Sequence, residues 1–243
     1  MIRGKTLLGF DFDLTLVEQD SDHRILALVP ETHQKFQSLY DAGMQFTDSV
    51  ATSLLDLHAR GIGPSQILEA LKTIPFDDAV RQMFEFAKSN NADIVILSDA
   101  NTFYIDEVLK AKGLRDYVSE IITNPASWGE QGQLIVKRHT TEPPHGCSRC
   151  SPNLCKGKEF LGFIQRCGVQ YDRLVFTGDG RNDFCPMTKL GPRDVALART
   201  GRTLAKCLEN EQNRAQISAE LRWWTEPSEM FQIIQEILNT DAN

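Results

Sequence analysis

Acidic residues stand at the ends of three short apolar segments, each of which predicts a buried strand of a parallel sheet. They are Asp11 and Asp13 after the first segment, Asp99 at the end of the second, and Asp179 and Asp183 after the third. A single acidic strand end is commonly a helix cap or a solvated turn. The carboxyl ends of parallel strands lie at one edge of a sheet, so these three strand ends predict a single site. Lys156, which lies between the second and third of them in the sequence, is a candidate for the same site. Clustered carboxylates supply the hard oxygen ligands that Mg²⁺ prefers.

The order of these motifs resembles the haloacid dehalogenase superfamily, in which the pattern D-x-D-x-T follows the first strand. Here that pattern is Asp11-Phe12-Asp13-Leu14-Thr15. The resemblance covers the whole predicted core and implies a phosphatase with a covalent aspartyl-phosphate intermediate. It implies these roles: Asp11 as nucleophile, Asp13 as general acid and base, Lys156 as charge neutraliser, Thr15, Ser98 and Lys156 for phosphate, and Asp11, Asp13, Asp179 and Asp183 for Mg²⁺.

The chemistry of phosphoryl transfer is consistent with these roles. A carboxylate that attacks a phosphomonoester meets an already negative group, so nearby cations must neutralise charge. Asp11, the carbonyl of Asp13 and Asp179 could bind Mg²⁺, while Asp183 could act directly or through water. The second acid, Asp13, indicates a phosphatase because it could protonate the leaving oxygen and then take a proton from water.

Residues 11 and 13 would point to opposite sides of a regular strand. Both can act on one substrate only if the chain leaves extended geometry directly after Asp11. The sequence therefore predicts a sharp turn at the D-x-D-x-T pattern.

Three segments resemble the phosphoethanolamine/phosphocholine phosphatase family, which includes pyridoxal-phosphate and related phosphatases. They read DFDLTLVEQDSD, ILSDANTFYI and CSRCSPNLCKG. The resemblance implies that Asp22 and Asp99 bind an amine head group. The alternatives are that Asp22 caps the first inserted helix and that Asp99 caps the helix beginning near Asn101. Aromatic faces could also bind a cation, but the sequence shows no clear cage, and core packing is the simpler role for Phe103, Tyr104, Trp128.

A cluster of cysteines precedes Lys156 directly. His145, Cys147, Cys150 and Cys155 lie within eleven residues and offer four possible zinc ligands. One C-x₂-C pair with a single further cysteine is a weak zinc signal, and Pro152 constrains the turn that would be needed. We therefore interpret this segment as a loop of free thiols that positions Lys156, with zinc binding and a Cys147–Cys150 disulfide as alternatives.

The pattern along the chain predicts an α/β fold: a Rossmann-like parallel sheet core flanked by helices, with a small helical cap inserted after the first strand. Residues 1–17 and 92–243 are assigned to the catalytic core. Residues 18–91 read as four short helices with no intervening strand and are assigned to the cap. A cap of this kind would exclude water and select the substrate.

Composition excludes several classes of function. The chain has 26 basic and 33 acidic residues, a formal charge of −7, and no basic stripe suited to nucleic acid. No apolar run reaches the roughly 20 residues of a membrane span, and no secretory signal is evident, which favours a cytoplasmic protein with reduced thiols. The oligomeric state stays open.

The sequence therefore favours a Mg²⁺-dependent phosphatase for a small phosphomonoester, with phosphoethanolamine or phosphocholine as substrate. Pyridoxal phosphate and thiamine monophosphate are alternatives with the same core chemistry. A non-catalytic phospholigand-binding protein is the alternative from another class. It is disfavoured because every catalytic position is filled.

Overall fold

Short apolar segments form one parallel sheet at the centre of the protein. The computed structural model describes residues 5–240. Its strands are β1 (Thr6–Phe10), β2 (Ala92–Asn101), β3 (Val118–Asn124), β4 (Ala126–Trp128), β5 (Leu134–Val136), β6 (Arg173–Gly178), β7 (Val195–Arg199) and β8 (Glu220–Trp224). Six of them make the sheet in the order β3-β2-β1-β6-β7-β8, with every neighbouring pair parallel. The predicted α/β fold with a Rossmann-like parallel sheet is confirmed.

Helices cover both faces of this sheet and fill the segment between β1 and β2. They are α1 (Ser21–Leu26), α2 (Pro30–Asp41), α3 (Phe46–Ala59), α4 (Pro64–Lys72), α5 (Asp78–Ser89), α6 (Thr102–Ala111), α7 (Lys156–Cys167), α8 (Phe184–Met187), α9 (Thr203–Glu209), α10 (Glu211–Arg214) and α11 (Pro227–Thr240). No helix within residues 5–240 is both long and apolar enough to cross a membrane.

Strand β1 holds the centre of the sheet because its side chains are buried on both faces. Leu8 and Phe10 join the apolar core on one face, and Leu7 joins a second core on the other. Gly9 is needed there, since a Cβ at this position would lie 2.7 Å from the ring of Phe160. Apolar packing on both faces of β1 thus fixes the position of its carboxyl end. It therefore also fixes the position of Asp11, which follows directly.

The helical segment differs in detail from the prediction. It contains five helices within the described chain, where the sequence pattern predicted four. The additional helix is α1, whose six residues are too few to show a clear periodicity. Helix α5 packs against β2 and α11, whereas α1 to α3 pack mainly on one another and α4 packs on both α1 and α6. The assignment of residues 18–91 to a cap stays a prediction, and these contacts favour a cap that ends before α5. The assigned core ends, 1–4 and 241–243, lie outside the described residues.

The turn GEQGQ and the apolar residues after it predict a strand at residues 134–138, where the structure has β5, whereas β4 and β8 were not predicted. The irregular segment after β3 contains an antiparallel hairpin of β4 and β5, and the last strand, β8, lies at the sheet edge. On β8, Trp224 is buried and Trp223 is 40% exposed, as expected for neighbouring residues of a strand. A strand as short as β4 carries almost no pattern in sequence.

Candidate active site

The three acidic strand ends meet because β2, β1 and β6 are neighbours in the sheet. Asp11, Ser98 and Asp179 line one cavity of about 380 Å³ at the carboxyl edge of these strands. Asp13 and Asp99 line the same cavity. A parallel sheet places the ends of adjacent strands together, so this grouping follows from the order of the strands.

The chain turns sharply after β1, as the D-x-D-x-T pattern predicted. The carbonyl of Phe12 accepts hydrogen bonds from the amides of Thr15, Leu16 and Val17 at 3.3, 2.8 and 3.2 Å. Leu14 adopts a left-handed conformation with a φ of 56°, which an L-residue other than glycine rarely takes. This turn brings the side chains of Asp11 and Asp13 to the same cavity.

Arg199, at the end of β7, stabilises this turn. Its guanidinium donates to the carbonyl of Leu14 at 2.6 Å, pairs with Glu18 at 2.6 Å, and lies 4.8 Å from the ring centroid of Trp224. Nothing near Arg199 in the sequence marks it as part of the site.

Lys156 lies at the bottom of the site between two carboxylates. Its ammonium group is 2.8 Å from Asp11 Oδ2 and 2.7 Å from Asp183 Oδ1, and only 1% of its side chain is exposed. Burial alone would lower the pKa of Lys156, but the charges of Asp11 and Asp183 more than offset burial and hold the pKa above its ordinary value. Lys156 is therefore a fixed positive charge next to the predicted nucleophile.

Three buried carboxylates, Asp11, Asp179 and Asp183, form a group that could hold a metal ion. One oxygen of each lies within 4.8 Å of the others. Burial, followed by the charge of Asp11, raises the pKa of Asp179 to about 7 and raises the pKa of Asp183 well above 3.8. This excess of buried negative charge, with oxygen donors only, suits a hard divalent cation such as Mg²⁺.

Of these three carboxylates, Asp183 makes the most hydrogen bonds to the protein. Asp183 accepts hydrogen bonds from the amides of Asp179 and Gly180 at 3.1 and 2.9 Å in addition to Lys156. Gly178 is required by this packing, since a Cβ there would lie 2.3 Å from Asp183. Asp183 thus fixes the loop after β6, which agrees better with a water-mediated role at a metal than with a direct one.

Thr15 and Ser98 have different surroundings. Ser98 lines the cavity, and its hydroxyl accepts from the amide of Ala100 at 3.1 Å. Thr15 is fully buried, does not line the cavity, and donates to Asp179 Oδ1 at 3.3 Å. The structure therefore places Thr15 where it can orient Asp179, and a phosphate contact by its side chain stays a prediction.

Asp13 is positioned by the first helix of the inserted segment. Its two oxygens accept from the amide and the hydroxyl of Ser21 at 3.1 and 2.9 Å. Burial, then the charges of Asp20, Asp22 and Asp11, raise the pKa of Asp13 well above 3.8. A raised pKa is what a carboxyl group needs to carry the proton that it gives to a leaving oxygen.

Asp22 and Asp99 line the same cavity, and neither caps a helix. Helix α1 is capped by Asp20, which accepts from the amide of His23 at 2.8 Å. Helix α6 is capped by Asn101, which accepts from the amide of Tyr104 at 3.1 Å. The helix-cap alternatives for Asp22 and Asp99 are thus wrong.

The two carboxylates differ in their partners. Asp99 accepts from Asn153 at 2.6 Å and from Asn182 at 2.5 Å. Asp22 is 3% exposed, and within residues 5–240 its Oδ1 has no hydrogen-bond partner. Burial, then Asp20 and Asp99, raise the pKa of Asp22 well above 3.8. Asp22 lines the cavity, so a ligand could supply the donor that this buried oxygen lacks.

Several residues that were not predicted to belong to the site line the cavity, and three aromatic residues near Asp99 or in the hairpin do not. The added residues include Asp20, Tyr40, Phe46, Asn153, Arg181 and Asn182. Phe103 and Trp128 instead pack edge to face with ring centroids 5.0 Å apart and line a separate surface cleft. Tyr104 is buried in the apolar core. Since α2 and α3 fold back over the sheet edge, the aromatic residues of the cavity come from a part of the chain that carries no motif.

The fold and this site define a phosphatase of the haloacid dehalogenase type. A phosphoserine phosphatase solved as a phospho-aspartyl intermediate analogue aligns with a TM-score of 0.62 and 15% identity, covering 95% of this chain and 99% of that one. A substrate-bound phosphoserine phosphatase aligns with a TM-score of 0.63 and 15% identity, covering 97% and 98%. At this identity the likeness shows the fold.

Sequence comparison gives the family. The family model described as Putative Phosphatase matches residues 6–238, and the chain belongs to this family of phosphoric monoester hydrolases. It is 33% identical to the pyridoxal phosphate phosphatase PHOSPHO2 of Rattus norvegicus, over 96% of this chain and 99% of the relative. It is 32% identical to a thiamine phosphate phosphatase-like protein of Arabidopsis thaliana, over 97% and 96%. The phosphoethanolamine/phosphocholine phosphatase of Homo sapiens is 28% identical, over 96% and 90%.

Proposed function

We propose that this protein is a Mg²⁺-dependent phosphatase that hydrolyses a small phosphomonoester with a cationic alcohol part through an aspartyl-phosphate on Asp11. Phosphoethanolamine and phosphocholine are the favoured substrates. The observation that carries the choice of substrate is the unpartnered, buried oxygen of Asp22 at the cavity wall. Membership of a phosphatase family argues against a non-catalytic binding protein.

The chain's own residues supply the steps of the reaction. A carboxylate oxygen of Asp11 attacks phosphorus, the bond from phosphorus to the alcohol oxygen breaks, and Asp13 gives its proton to that oxygen. Asp13 then takes a proton from a water molecule that attacks the acyl phosphate, which regenerates Asp11 and releases phosphate. Lys156, 2.8 Å from Asp11, keeps a positive charge beside the transferring group in both steps.

Asp11, Asp179 and the carbonyl of Asp13 would hold Mg²⁺, with Asp183 behind them. When bound, the ion would offset the negative charge of the phosphate and of the attacking carboxylate. Thr15 orients Asp179 through the 3.3 Å hydrogen bond between their side chains. Ser98 remains free to donate to a phosphate oxygen, since the hydrogen bond it makes to Ala100 uses its oxygen as an acceptor.

The wall of the cavity is acidic beyond the catalytic carboxylates. Asp20, Asp22 and Asp99 line it, and among its described lining residues Arg181 is the only basic one. A cationic head group would pair with Asp22 and offset the charges of Asp20 and Asp99, which together with the larger effect of burial raise its pKa. Tyr40 and Phe46, with ring centroids 5.8 Å apart, line the same cavity and could contact the methyl groups of a quaternary ammonium.

Phosphate release from a substrate panel tests the proposal. The panel holds phosphoethanolamine, phosphocholine, thiamine monophosphate, pyridoxal phosphate, phosphoserine and an aryl phosphate, each with and without Mg²⁺. We expect Mg²⁺-dependent release with the highest kcat/KM for phosphoethanolamine or phosphocholine. Equal rates for all six compounds would contradict the head-group site while leaving the catalytic roles in place.

Pyridoxal phosphate and thiamine monophosphate are the second candidates. They are favoured by the relatives named for these substrates, which share 33% and 32% identity with the chain. Thiamine monophosphate carries a permanent positive charge and would also match the acidic wall. A clear preference for pyridoxal phosphate would show instead that the acidic residues serve another part of the reaction.

We expect Asp22→Asn to lower kcat/KM about 10–100-fold for phosphoethanolamine, because a charge-assisted hydrogen bond contributes about 1.5–3 kcal/mol. Hydrolysis of the aryl phosphate should change less than about threefold, since that compound has no cation for Asp22 to bind. Steady-state kinetics on both substrates measure the difference. Asp41→Asn, an exposed aspartate on α2 outside the cavity, is the matched control. Equal losses on both substrates would assign Asp22 a structural or general catalytic role.

Mg²⁺ should raise the melting temperature of protein freed of magnesium by gel filtration, and the rise should be larger above pH 7 than below it. The pKa of Asp179 is about 7, so its carboxyl group is mostly ionised only above that pH. Burying the ionised form destabilises the metal-free protein, and a bound cation would relieve this. Ion binding at 100 times Kd contributes about 2.7 kcal/mol to stability. Thermal unfolding with and without Mg²⁺ checks this, and Asp179→Asn should remove most of the effect. A shift that persists in this variant would place the ion elsewhere.

A further inference from the structure

A second cluster of ligand-type side chains lies outside the cavity. The Sγ atoms of Cys147, Cys150, Cys155 and Cys185 all lie within 4.8 Å of one another. Two of the separations are 3.8 Å, between Cys147 and Cys185, and 3.9 Å, between Cys155 and Cys185. A zinc ion with four sulfur ligands at about 2.3 Å in a tetrahedron requires sulfur separations of about 3.8 Å. A disulfide would require a sulfur separation of about 2.05 Å, and all six cysteines are free thiols here.

The fourth member of the cluster comes from a distant part of the chain. Cys147, Cys150 and Cys155 lie between β5 and α7, whereas Cys185 lies in α8, two residues after Asp183. Helix α7 approaches α8 closely at Gly157, where a Cβ would lie 2.8 Å from Cys185 Sγ. The C-x₂-C pair therefore does not stand alone, and the packing of α7 on α8 completes a set of four.

His145, which the sequence pattern offered as the fourth ligand, is used differently. Its Nδ1 accepts from the amide of Cys147 at 3.0 Å, and its Nε2 lies 2.9 Å from the carbonyl oxygen of Ser151. Since a carbonyl can only accept, Nε2 carries the proton and donates. Both ring nitrogens are thus occupied within the loop, and neither is free to bind a metal.

The segment that carries three of the cysteines has little else to order it. Residues 139–155 contain no helix or strand, and most residues from 141 to 152 are exposed. A stretch of this length without regular structure is uncommon in a compact domain, and fixing its backbone is entropically unfavourable. A bound structural metal can supply the free energy that small exposed segments cannot gain by burying side chains.

We propose that Cys147, Cys150, Cys155 and Cys185 bind one structural Zn²⁺ ion as four thiolates. Each thiol releases its proton to solvent as its bond to zinc forms, and no oxidation or reduction occurs. Thiolate sulfur selects a soft or borderline ion such as Zn²⁺, whereas the all-oxygen group of Asp11, Asp179 and Asp183 selects Mg²⁺. The two sites would therefore not compete for the same ion.

This zinc site lies directly behind the catalytic lysine. Cys155 precedes Lys156, and Cys185 follows Asp183 by two residues, while Lys156 and Asp183 are 2.7 Å apart. Asn153, in the same loop, donates to Asp99 at the cavity wall at 2.6 Å. A zinc ion that joins the two segments would fix the positions of Lys156 and Asp183 and of the loop that supports Asp99.

Metal and thiol analysis of the wild-type protein tests the proposal. Protein purified without added metal and passed through Mg²⁺ buffer should contain about one zinc per chain by elemental mass spectrometry. Denatured without reductant but with a chelator, it should show all six cysteines as free thiols. Exchange with cobalt(II) should give the thiolate-to-cobalt charge-transfer band and strong visible bands of a tetrahedral thiolate site. Zinc well below one equivalent, iron in its place, or four free thiols with one disulfide would overturn it.

Variants distinguish this site from the others in the protein. Cys150→Ser and Cys185→Ser should each lower the zinc content at least about fivefold, since loss of one thiolate opens the tetrahedral site. His145→Ala and Cys207→Ser, which lie outside the set of four, should retain full zinc, and so should Asp179→Asn. Full zinc in Cys185→Ser together with loss in His145→Ala would overturn the assignment of the fourth ligand. If a cysteine variant does not fold, the wild-type stoichiometry and cobalt spectrum decide.

Discussion

Replacing Asp11 with asparagine should abolish turnover, lowering kcat by a factor on the order of 10⁴ or more, since an amide cannot attack phosphorus. The fold should remain intact. Asparagine has nearly the same shape, and Asp11 is one of the charges that raise the pKa values of Asp179 and Asp183. Removing this charge reduces repulsion among buried carboxylates but also removes one of the two partners of Lys156, which keeps Asp183 at 2.7 Å. The two effects oppose each other, so the melting temperature without Mg²⁺ should change little.

Trapping the intermediate connects this loss with the proposed role. In the wild-type protein, acid quenching during turnover followed by borohydride reduction should convert residue 11 to homoserine, which peptide mass spectrometry would locate. The asparagine variant should show no such conversion. Asp93→Asn is the matched control, because Asp93 lies on β2 away from the cavity and pairs with Lys5. Substantial residual hydrolysis by the Asp11 variant, or trapping at another residue, would remove Asp11 as nucleophile.

The sequence predicted the core of the site because three short motifs lie directly after buried strands. For Asp11 and Asp179, the position of the side chain follows from the apolar strand before it and from the parallel sheet. The turn at Leu14 could also be predicted, because two acids separated by one residue cannot otherwise face one substrate. Patterns of local sequence are sufficient for such features.

Contacts between distant segments could not be predicted in this way. Cys185 lies 30 residues after Cys155, and only the packing of α7 on α8 brings their sulfur atoms to 3.9 Å. Arg199 contacts Leu14 across 185 residues, and Asn153 contacts Asp99 across 54. Each of these side chains would be unremarkable on a solvated surface, and only tertiary structure gives it a role.

Helix caps show a similar limit at short range. Asp20, Asp22, Asp99 and Asn101 are all residue types that cap helices. The structure selects Asp20 and Asn101 for that purpose and leaves Asp22 and Asp99 facing the cavity. A shift of one or two residues in the start of a helix decides which acid is structural, and sequence patterns do not locate helix ends that closely.

Replacing Lys156 with methionine should both inactivate and destabilise the protein. The variant leaves Asp11 and Asp183, which contact Lys156 at 2.8 and 2.7 Å, without a cation between them. Removing one partner of a buried ion pair costs about 3–5 kcal/mol of stability, and loss of the charge beside the phosphate should lower kcat by about 10³ or more. Chemical denaturation and steady-state kinetics measure the two effects.

The loss of stability should depend on pH. The pKa of Asp183 is already raised above 3.8 by burial and by the charge of Asp11, and the lysine counteracts this rise. A carboxyl group with a raised pKa in the folded state binds more protons there than in the unfolded chain, so its contribution to stability falls as pH rises above 3.8. The variant should therefore be least destabilised in acid and increasingly destabilised toward neutral pH.

A second substitution separates charge from packing. Lys156→Met combined with Asp183→Asn removes one of the two stranded carboxylates and should recover about 1–3 kcal/mol of stability without recovering turnover. Lys158→Met, an exposed lysine two residues further along α7, should change neither property. Wild-type stability in Lys156→Met, or no recovery in the double variant, would show that charge between Asp11 and Asp183 is not what Lys156 supplies. Recovery of stability without turnover would show that the same ammonium group holds the folded site together and serves the reaction.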